Sequence, residues 1–365
     1  MNNTNWKTKS SFNGIIHEIP GVVVDNFENP VQKRARAFFL SHCHLDHIQG
    51  LFSLELFNYL KEFEVFIYTT ELNAAIINNE KKYDFMEFIK VLPKGSTLIT
   101  LPSLRNTQEE FVTVTLVPAG HCAGSTMFLF KTKTYTILFT GDFRININDI
   151  SKYKAFHENY EVIKIDTLYI DTTFLEAWYE NFPKRSESVE KLIYEIRKWL
   201  SDKNNAVALH TSAKYGYEYV FNEIHKVLGM KVYVGDRWQL YSKIPHLVSG
   251  VTNNENITRI HLCTKRYPTA HNSCINRAYQ RFLYVNLSAM KWVNYKSDFT
   301  SVSWLAKDRL DVCFATHCSK NELISFTNHL MPNKIIGFPN PWKVEKRKIT
   351  GNEGHGDFKK MKLGS

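Results

Sequence analysis

The sequence predicts an α/β fold, because short apolar runs of strand type alternate with segments of helical spacing. Residues 188–200, SVEKLIYEIRKWL, carry apolar residues at helical spacing behind a capping-box-like SESVE stretch, which predicts a helix start there. Residues 216–229 show a second helical pattern, and Gly229 is expected to end that helix. A chain of 365 residues also predicts two domains, or one domain with a large insertion.

Six strand-like runs each stop at or near a histidine or an aspartate. In chain order these residues are His42, His121, Asp142, Asp171, His210 and His317. In α/β sheets, ligands bind beside the carboxyl ends of the strands, where the loops converge. We therefore expect one cleft to contain residues 42–47, 121, 142, 171 and 317.

The charge and composition limit the kind of partner and compartment. Lysine and arginine number 46 against 36 aspartate and glutamate, a net charge of +10. This balance suits a polyanion, with nucleic acid first, although a merely basic surface is the plainer explanation. No stretch approaches the roughly 18–20 apolar residues of a membrane span, and MNNTNWKTKS lacks a signal-peptide core. We expect a soluble, intracellular protein with no membrane partner.

The cysteines and the C-terminal segment predict little structure of their own. Six cysteines in so long a chain indicate buried thiols or metal ligands rather than a disulfide framework. Residues 346–365 are basic, contain glycine and have few large apolar side chains, so we expect a disordered tail.

The segment HCHLDH, residues 42–47, has the composition of a metal site. Histidine makes up only 14 of 365 residues, so a polar loop with three histidines in six positions by chance is improbable. His42 and His44 lie on one side of an extended segment, whereas Asp46 and His47 follow at a turn. This arrangement suits two adjacent metal ions bridged by Asp142 of TGDFR. Nitrogen and carboxylate ligands favour zinc, with manganese or magnesium as alternatives.

Taken in order, the motifs resemble those of the metallo-β-lactamase superfamily and its β-CASP branch of DNA-processing nucleases. HCHLDH matches the H-x-H-x-D-H signature, and PAGHCAGSTMFLF and ILFTGDFR match the ligand motifs that follow it. LYIDTTF, ALHTSAKYGYEYVF, IHLC and CFATHCSKNEL resemble the β-CASP region of Artemis-like nucleases, and the similarity covers residues 12–342. It implies an αββα metallo-β-lactamase sandwich, residues 1–160 and 309–345, with a β-CASP domain inserted at 161–308 and the cleft between them.

The resemblance also implies the role of each site residue. One metal ion would be held by His42, His44, His121 and Asp142, and a second by Asp46, His47, Asp142 and His317. Asp25 of VVVDNF would orient ligands, unless it is an aspartate of a surface turn. Asp171 would hold ligands or the attacking water. Every ligand position is filled, so we expect an active enzyme whose catalytic residues are Asp25, Asp46, Asp142, Asp171 and His317.

A structural zinc site within the β-CASP part is implied by the same resemblance. His261, Cys263 and Cys274 match its ligands, but Tyr233 stands where another histidine is expected. Either His271 replaces that ligand, or water completes the zinc shell, or the site is lost and the side chains are simply buried.

Basic and aromatic residues near the motifs are candidates for contact with DNA. They are Arg144, Ser212, Lys214, Lys265 and Arg266, each of which could equally be a solvated surface residue. Phe174, Tyr215 and Tyr217 could stack on bases, although aromatic residues at helical spacing more often belong to a core.

The implied activity is that of a metal-dependent, structure-selective DNA endonuclease. It would open hairpins, cut overhangs and single/double-strand junctions, and possess 5′–3′ exonuclease activity, in nuclear double-strand break repair by non-homologous end joining. A DNA-dependent protein kinase and the end-joining ligase are partners by resemblance alone.

Three other functions compete with this interpretation. A β-CASP RNA endonuclease of the pre-mRNA-processing kind would carry another histidine after the one matching His317, and NKIIGFPNPW contains none. A lactamase- or glyoxalase-type hydrolase would need neither the insertion nor the basic charge. A non-catalytic nucleic-acid-binding scaffold would have lost ligands that are present here.

Overall fold

The computed structural model describes residues 11–80, 84–103, 108–263, 281–296 and 298–343. These residues form a mixed α/β fold with four sheets, which confirms the predicted class. The helices are α1 Pro30–Lys33, α2 Leu54–Phe63, α3 Glu71–Glu80, α4 Arg185–Trp199, α5 Glu218–Leu228, α6 Trp238–Tyr241 and α7 Lys320–Leu330. None of the helices in the described residues has the length and apolar character that crossing a membrane requires.

Three of the sheets contain the first half of the chain and its last strand, with strands numbered in chain order. A parallel sheet has the order β1 Val22–Val24, β2 Ala37–Phe39, β3 Ile67–Thr69, β4 Ile89–Val91. The second sheet comprises β5 Ser96–Leu101, β6 Glu110–Pro118, β7 Thr126–Lys131, β8 Thr136–Phe139, β11 Thr167–Asp171 and β19 Lys334–Phe338. Its spatial order is β19-β11-β8-β7-β6-β5. β9 His157–Glu158 and β10 Glu161–Val162 form a separate antiparallel pair.

An aromatic core joins the four-stranded and six-stranded sheets. Phe39 of β2 packs edge-on against Phe128 and Phe130 of β7, with ring centroids 5.3 and 4.9 Å apart. Phe139 of β8 stacks on Phe338 of β19 at 5.2 Å in the same cluster. These side chains are buried, and fully burying one such ring stabilises the fold by roughly 1.5–3 kcal/mol. The two sheets therefore hold the loops at their strand ends in fixed relative positions.

The remaining seven strands form one sheet, with α4 and α5 in contact beside it. Its order is β14 Val251–Thr252, β13 Val232–Tyr233, β15 Ile260–Cys263, β12 Asn205–Thr211, β16 Arg281–Leu287, β18 Arg309–Val312, β17 Val302–Ala306. Two strands pair across the predicted domain limits, which stay a prediction. β11 falls after residue 160 yet pairs in the six-stranded sheet, and β18 falls after residue 308 yet pairs with β16.

The two predicted helices are present, with one error at a boundary. α4 begins at Arg185, three residues before the predicted start, and its N-cap residue Lys184 makes no side-chain capping bond. The SESVE stretch is therefore inside the helix, and the predicted capping box there is wrong. A capping box exists instead at the start of α7, between Ser319 and Glu322. The predicted end of α5 is confirmed, since Gly229 closes it in the left-handed conformation with φ +68°.

Gly120 fixes the loop after β6 against the loop after β8. Its φ is +67°, and a Cβ atom there would lie 2.5 Å from the carbonyl oxygen of Arg144. We expect Gly120→Ala to lower the free energy of unfolding by about 3 kcal/mol, because strain and a backbone clash add. Gly95→Ala is the matched control, since φ is +99° there and a Cβ would meet no atom within 4 Å, so only about 1 kcal/mol should be lost. Equal losses in urea unfolding would show that the close approach to Arg144 is unimportant.

Candidate metal centre

The structure brings the ends of several strands together around one cleft. His42, His44, Asp46 and His47 occupy the loop that follows β2. His121 follows β6, Asp142 follows β8, Asp171 ends β11, and His317 lies between β18 and α7. The cleft has a volume of about 990 Å³ and is lined by residues that include His44, Asp46, Asp142 and His317. His210, by contrast, is outside the set of residues that line this cleft.

The Asp142 carboxylate lies at the middle of this group. Its two oxygens face the Nε2 atoms of four histidines, at 3.2 Å for His47, 3.5 Å for His42, 3.6 Å for His121 and 3.9 Å for His317. Asp46 adds a second carboxylate, 3.5 Å from His47 Nε2. Carboxylate and imidazole groups at these separations are the donors that a shared metal ion needs.

Each of the five histidines is held from behind through its other ring nitrogen. The contacts are His42 Nδ1 with Ser41 Oγ (2.9 Å), His44 Nε2 with Tyr215 O (3.1 Å), His47 Nδ1 with Asp25 (2.9 Å), His121 Nδ1 with Thr316 O (3.0 Å) and His317 Nδ1 with Asp171 (2.8 Å). A carbonyl or a carboxylate only accepts, so the outer nitrogen of at least four rings carries the proton. On each ring that is neutral, the inner nitrogen then presents a lone pair, which is the form that ligates metal.

Two of these lone pairs point at each other. His121 Nε2 and His44 Nδ1 lie 2.9 Å apart, although each ring donates its other N–H to a backbone carbonyl. Burial lowers the pKa of both rings, so neither is expected to carry a second proton. Two facing lone pairs repel, and a cation bound between them removes the conflict.

The ionisation states also suit a metal. Burial holds the pKa of His42 and His121 well below the ordinary value, which keeps both imidazoles neutral. Burial acts to raise the pKa of Asp142, but the positive charge of His47 and His317 outweighs it and holds that pKa well below its usual range. Burial acts to lower the pKa of His47 and His317, but nearby carboxylates, chiefly Asp142 for His47 and Asp171 for His317, outweigh it, so the pKa of His47 is raised well above its ordinary value and that of His317 to about 9. The centre therefore combines neutral nitrogen donors and an ionised carboxylate with two protonated rings, whose protons a metal ion would have to displace.

Three overlapping donor groups have ligand atoms within 4.8 Å of one another and share Asp142. They are His42, His44, His121 and Asp142; Asp46, His47 and Asp142; and Asp142, Asp171 and His317. His42 Nε2 is buried and has no hydrogen-bond partner among the described residues, an arrangement that is costly unless a ligand accepts its lone pair. The residues thus fit an ion such as zinc or manganese, and Asp142 belongs to each of the three groups.

Asp25 is a buried residue, so the surface-turn alternative is excluded. Its carboxylate accepts hydrogen bonds from Ser41 N at 2.7 Å, Ser41 Oγ at 2.5 Å and His47 Nδ1 at 2.9 Å. Because Ser41 Oγ also contacts His42, one carboxylate fixes two of the rings that face Asp142. Ser41 was not predicted as a site residue, although it directly precedes His42 in the sequence.

Asp171 has an equivalent position on the opposite side of the centre. One of its oxygens contacts His317, and the other accepts hydrogen bonds from Thr173 N at 2.9 Å and Thr173 Oγ1 at 2.6 Å. It is buried, and its geometry suits the orienting role that was predicted for it.

The candidates for DNA contact differ in their accessibility. Ser212 and Lys214 line the cleft, and Lys214 forms an ion pair with Glu80. Arg144 is buried, donates to the carbonyls of Ala315 and Pro183 at 2.9 Å each and pairs with Glu322, so its position gives no support to a DNA contact. Lys265 and Arg266 lie outside the described residues. The three aromatic candidates, Phe174, Tyr215 and Tyr217, are buried, as the core alternative requires.

The proposed structural zinc site is only partly within the described residues. His261 and Cys263 lie on β15, and Tyr233 of the adjacent β13 is directly opposite His261. His261 Nε2 is buried without a hydrogen-bond partner in the part of the chain that the structure describes. Cys274 and His271 fall outside that part, so this zinc site stays a prediction. The other cysteines, Cys43, Cys122, Cys313 and Cys318, are buried or half-buried thiols, as expected.

Several sheets and a buried histidine–aspartate centre at their strand ends are the features of the metallo-β-lactamase/β-CASP class that the motifs resemble. No family model matches the chain. Individual relatives nevertheless show what the chain is similar to. Over 347 residues it is 31% identical to Protein artemis of Homo sapiens, and the match covers 91% of this chain and 49% of that protein. The match to Protein artemis of Rattus norvegicus has the same identity and coverage. The chain is an Artemis homologue, as the motifs predicted.

Two further relatives carry names from DNA processing. DNA cross-link repair 1A protein of Homo sapiens is 27% identical over 344 residues, which cover 89% of this chain and 30% of that protein. The 5' exonuclease Apollo of Rattus norvegicus is 31% identical over 187 residues, 51% of this chain and 32% of that protein. The chain spans about half the length of the Artemis proteins that it matches.

Proposed function

We propose that the chain is a metal-dependent DNA nuclease, a phosphodiesterase that opens hairpins and cuts overhangs and single/double-strand junctions, with 5′–3′ exonuclease activity. The observation that carries the proposal is the Asp142 carboxylate, which faces four histidines at the floor of an open cleft. The printed names of the relatives, a 5' exonuclease and a cross-link repair protein among them, support DNA as the substrate.

The centre is proposed to hold one or two zinc ions, with magnesium or manganese able to support activity. His42, His44, His121 and Asp142, which form one donor group, would hold one ion. Asp46, His47 and Asp142, which form another, would hold the second ion together with His317, a ligand that the resemblance implies. When bound, such ions supply Lewis acidity toward a phosphodiester and lower the pKa of water.

The protein's own side chains perform the positioning. Asp25 fixes His47 directly and His42 through Ser41, while Asp171 fixes His317. Ser212 and Lys214 border the cleft, where a polar group and a cation suit a phosphate backbone. The net charge of +10 favours the approach of a polyanion.

The finer organisation is proposed on the resemblance. Residues 1–160 and 309–345 would form the αββα sandwich, residues 161–308 the inserted β-CASP domain, and residues 346–365 a disordered tail. A nuclear role in end joining, with a DNA-dependent protein kinase and the end-joining ligase as partners, belongs to the same proposal.

The substrate is tested with labelled DNA hairpins, overhanged duplexes and an RNA hairpin of matching sequence, each with magnesium or manganese. We expect cleavage at the DNA hairpin tip or at the junction, and none by a variant that carries Asp46→Asn and His47→Ala. Cleavage of RNA alone would assign the protein to the RNA-processing branch. No cleavage of any substrate by a folded, metal-loaded protein would contradict the proposal.

A further inference from the structure

A second pocket, of about 560 Å³, lies beside His121 and shares no lining residue with the metal cleft. Three segments of the chain form it. They are the loop Gly120–Gly124 after β6, the start of α4 at Lys184–Ser186, and the face of α5 that carries Glu218, Tyr219 and Asn222. The metal ligand His121 is itself part of its wall.

The carboxylates of this pocket are already occupied. Glu322 is paired with Arg144 at 3.3 Å and accepts a hydrogen bond from Ser319 N at 2.8 Å. Glu218 accepts from Gly216 N and from the hydroxyl of Tyr241, both at 2.9 Å. Each carboxylate therefore already has partners, and Glu322 is shared between Arg144, with which it pairs, and Arg185, on which its charge also acts.

Arg185 is the cation of this pocket that has no ion pair of its own, because Glu322, the carboxylate whose charge acts on it, is already paired with Arg144. Among the described residues, its guanidinium donates no hydrogen bond and forms no ion pair. It lies close to the backbone of Gly120, since a Cβ atom on that glycine would be 3.6 Å from Arg185 Nη2. Burial, and then the charge of Arg144, lower the pKa of Arg185, and the carboxylate of Glu322 opposes them only in part.

The cost of this arrangement argues for a ligand. Arg144 and Arg185 share the single carboxylate of Glu322, which leaves an excess positive charge that an anion in the pocket would compensate. Arg185 is also the first residue of α4, where the helix dipole disfavours positive charge, and the exposed cation Lys184 precedes it.

We infer that the pocket beside His121 binds a phosphate group, with the Arg185 guanidinium as its principal donor and Lys184 at its rim. A guanidinium matches two phosphate oxygens at once, which an ammonium group does not. The choice of ligand rests on the proposed function: the phosphate belongs to a DNA strand that extends from the metal cleft past His121. A free nucleotide or inorganic phosphate would present the same chemistry.

The test compares Arg185→Gln with Arg197→Gln in the full-length, metal-loaded protein. Arg197 lies in the last turn of the same helix, so both variants lose one positive charge from α4. Binding of a fluorescent single-stranded phosphorothioate oligonucleotide, which resists cleavage, is followed by anisotropy over a range of salt concentrations. We expect Arg185→Gln to bind about tenfold more weakly, with a salt dependence shallower by about 0.7. Arg197→Gln should change affinity less than about twofold.

Thermal melting separates the two sources of phosphate and checks the fold. Arg185→Gln should melt close to the wild-type temperature, because the repulsion by Arg144 and the attraction by Glu322 are lost together. If the site binds free phosphate, inorganic phosphate or AMP at matched ionic strength should raise the melting temperature of the wild type but not that of Arg185→Gln. This result is expected even if the two proteins bind DNA with the same affinity. Identical DNA binding and identical phosphate response in the wild type and Arg185→Gln would overturn the inference.

Its failure is distinguishable from failure of the proposed function. If the wild type cuts DNA, and Arg185→Gln equals it in DNA binding and in its response to phosphate, only the phosphate pocket is overturned. If the wild type cuts no DNA but is stabilised by phosphate, and Arg185→Gln is not stabilised, the nuclease proposal is overturned and the phosphate pocket is supported.

Discussion

Asp142→Asn is expected to lower the rate of DNA cleavage by at least about 10³-fold. The Asp142 carboxylate is common to all three donor groups and faces four imidazoles, so an amide there removes the only charge that they share. The amide also directs N–H donors at nitrogens that present lone pairs. Single-turnover cleavage of a labelled hairpin, with elemental analysis of bound metal on the same sample, measures both consequences.

Asp149→Asn is the matched control for this substitution. Asp149 lies seven residues further along the chain, where it is exposed and pairs with Lys152 at 2.6 Å. Its replacement should leave rate and metal content unchanged. If Asp142→Asn retained the full rate and the full metal content, Asp142 could not be the bridging carboxylate.

Asp25→Asn is expected to weaken metal binding by about 10–100-fold while the protein stays folded. Asparagine has the same shape and tolerates the left-handed φ of +53° at this position, but it cannot accept the bonds from Ser41 and His47 together. His47 and His42 would then lose their fixed orientation. Because Asp25 does not face the cleft, high metal concentration should restore most of the cleavage rate, which sets it apart from Asp142.

Ser41→Ala provides the comparison for Asp25. It removes the hydroxyl between Asp25 and His42 but leaves the bond from Asp25 to His47, so its effect on metal affinity should be smaller than that of Asp25→Asn. Metal titration of the chelator-treated proteins ranks the metal affinities of the wild type, Ser41→Ala and Asp25→Asn. A larger loss in Ser41→Ala, or a loss in Asp25→Asn that no metal concentration repairs, would contradict the orienting role.

The sequence predicted the parts of the structure that local pattern determines. The helical spacing of residues 188–200 and the glycine after residue 228 are properties of neighbouring residues, and both predicted helices are present. The predicted start of α4 was wrong because the SESVE motif fits a capping pattern that the chain does not use there. The helix begins earlier, shortly after Pro183. Strand ends located the site because converging loops are a property of α/β sheets.

What holds the site residues in place could not be predicted. His44 is oriented by the carbonyl of Tyr215, and His121 by that of Thr316, 171 and 195 residues further along the chain. Backbone carbonyls carry no sequence signal, so only the fold reveals these contacts. Arg144 illustrates the reverse error: arginine type and position suggested a DNA contact, while the fold buries its guanidinium among internal acceptors.

The most direct test of the metal centre is a metal titration of the chelator-treated protein, with bound metal and single-turnover cleavage of a DNA hairpin measured on each sample. We expect no cleavage without metal, and a rate that rises with bound zinc or manganese and saturates once the groups around Asp142 are filled. Cleavage at the full rate by metal-free protein would contradict this expectation.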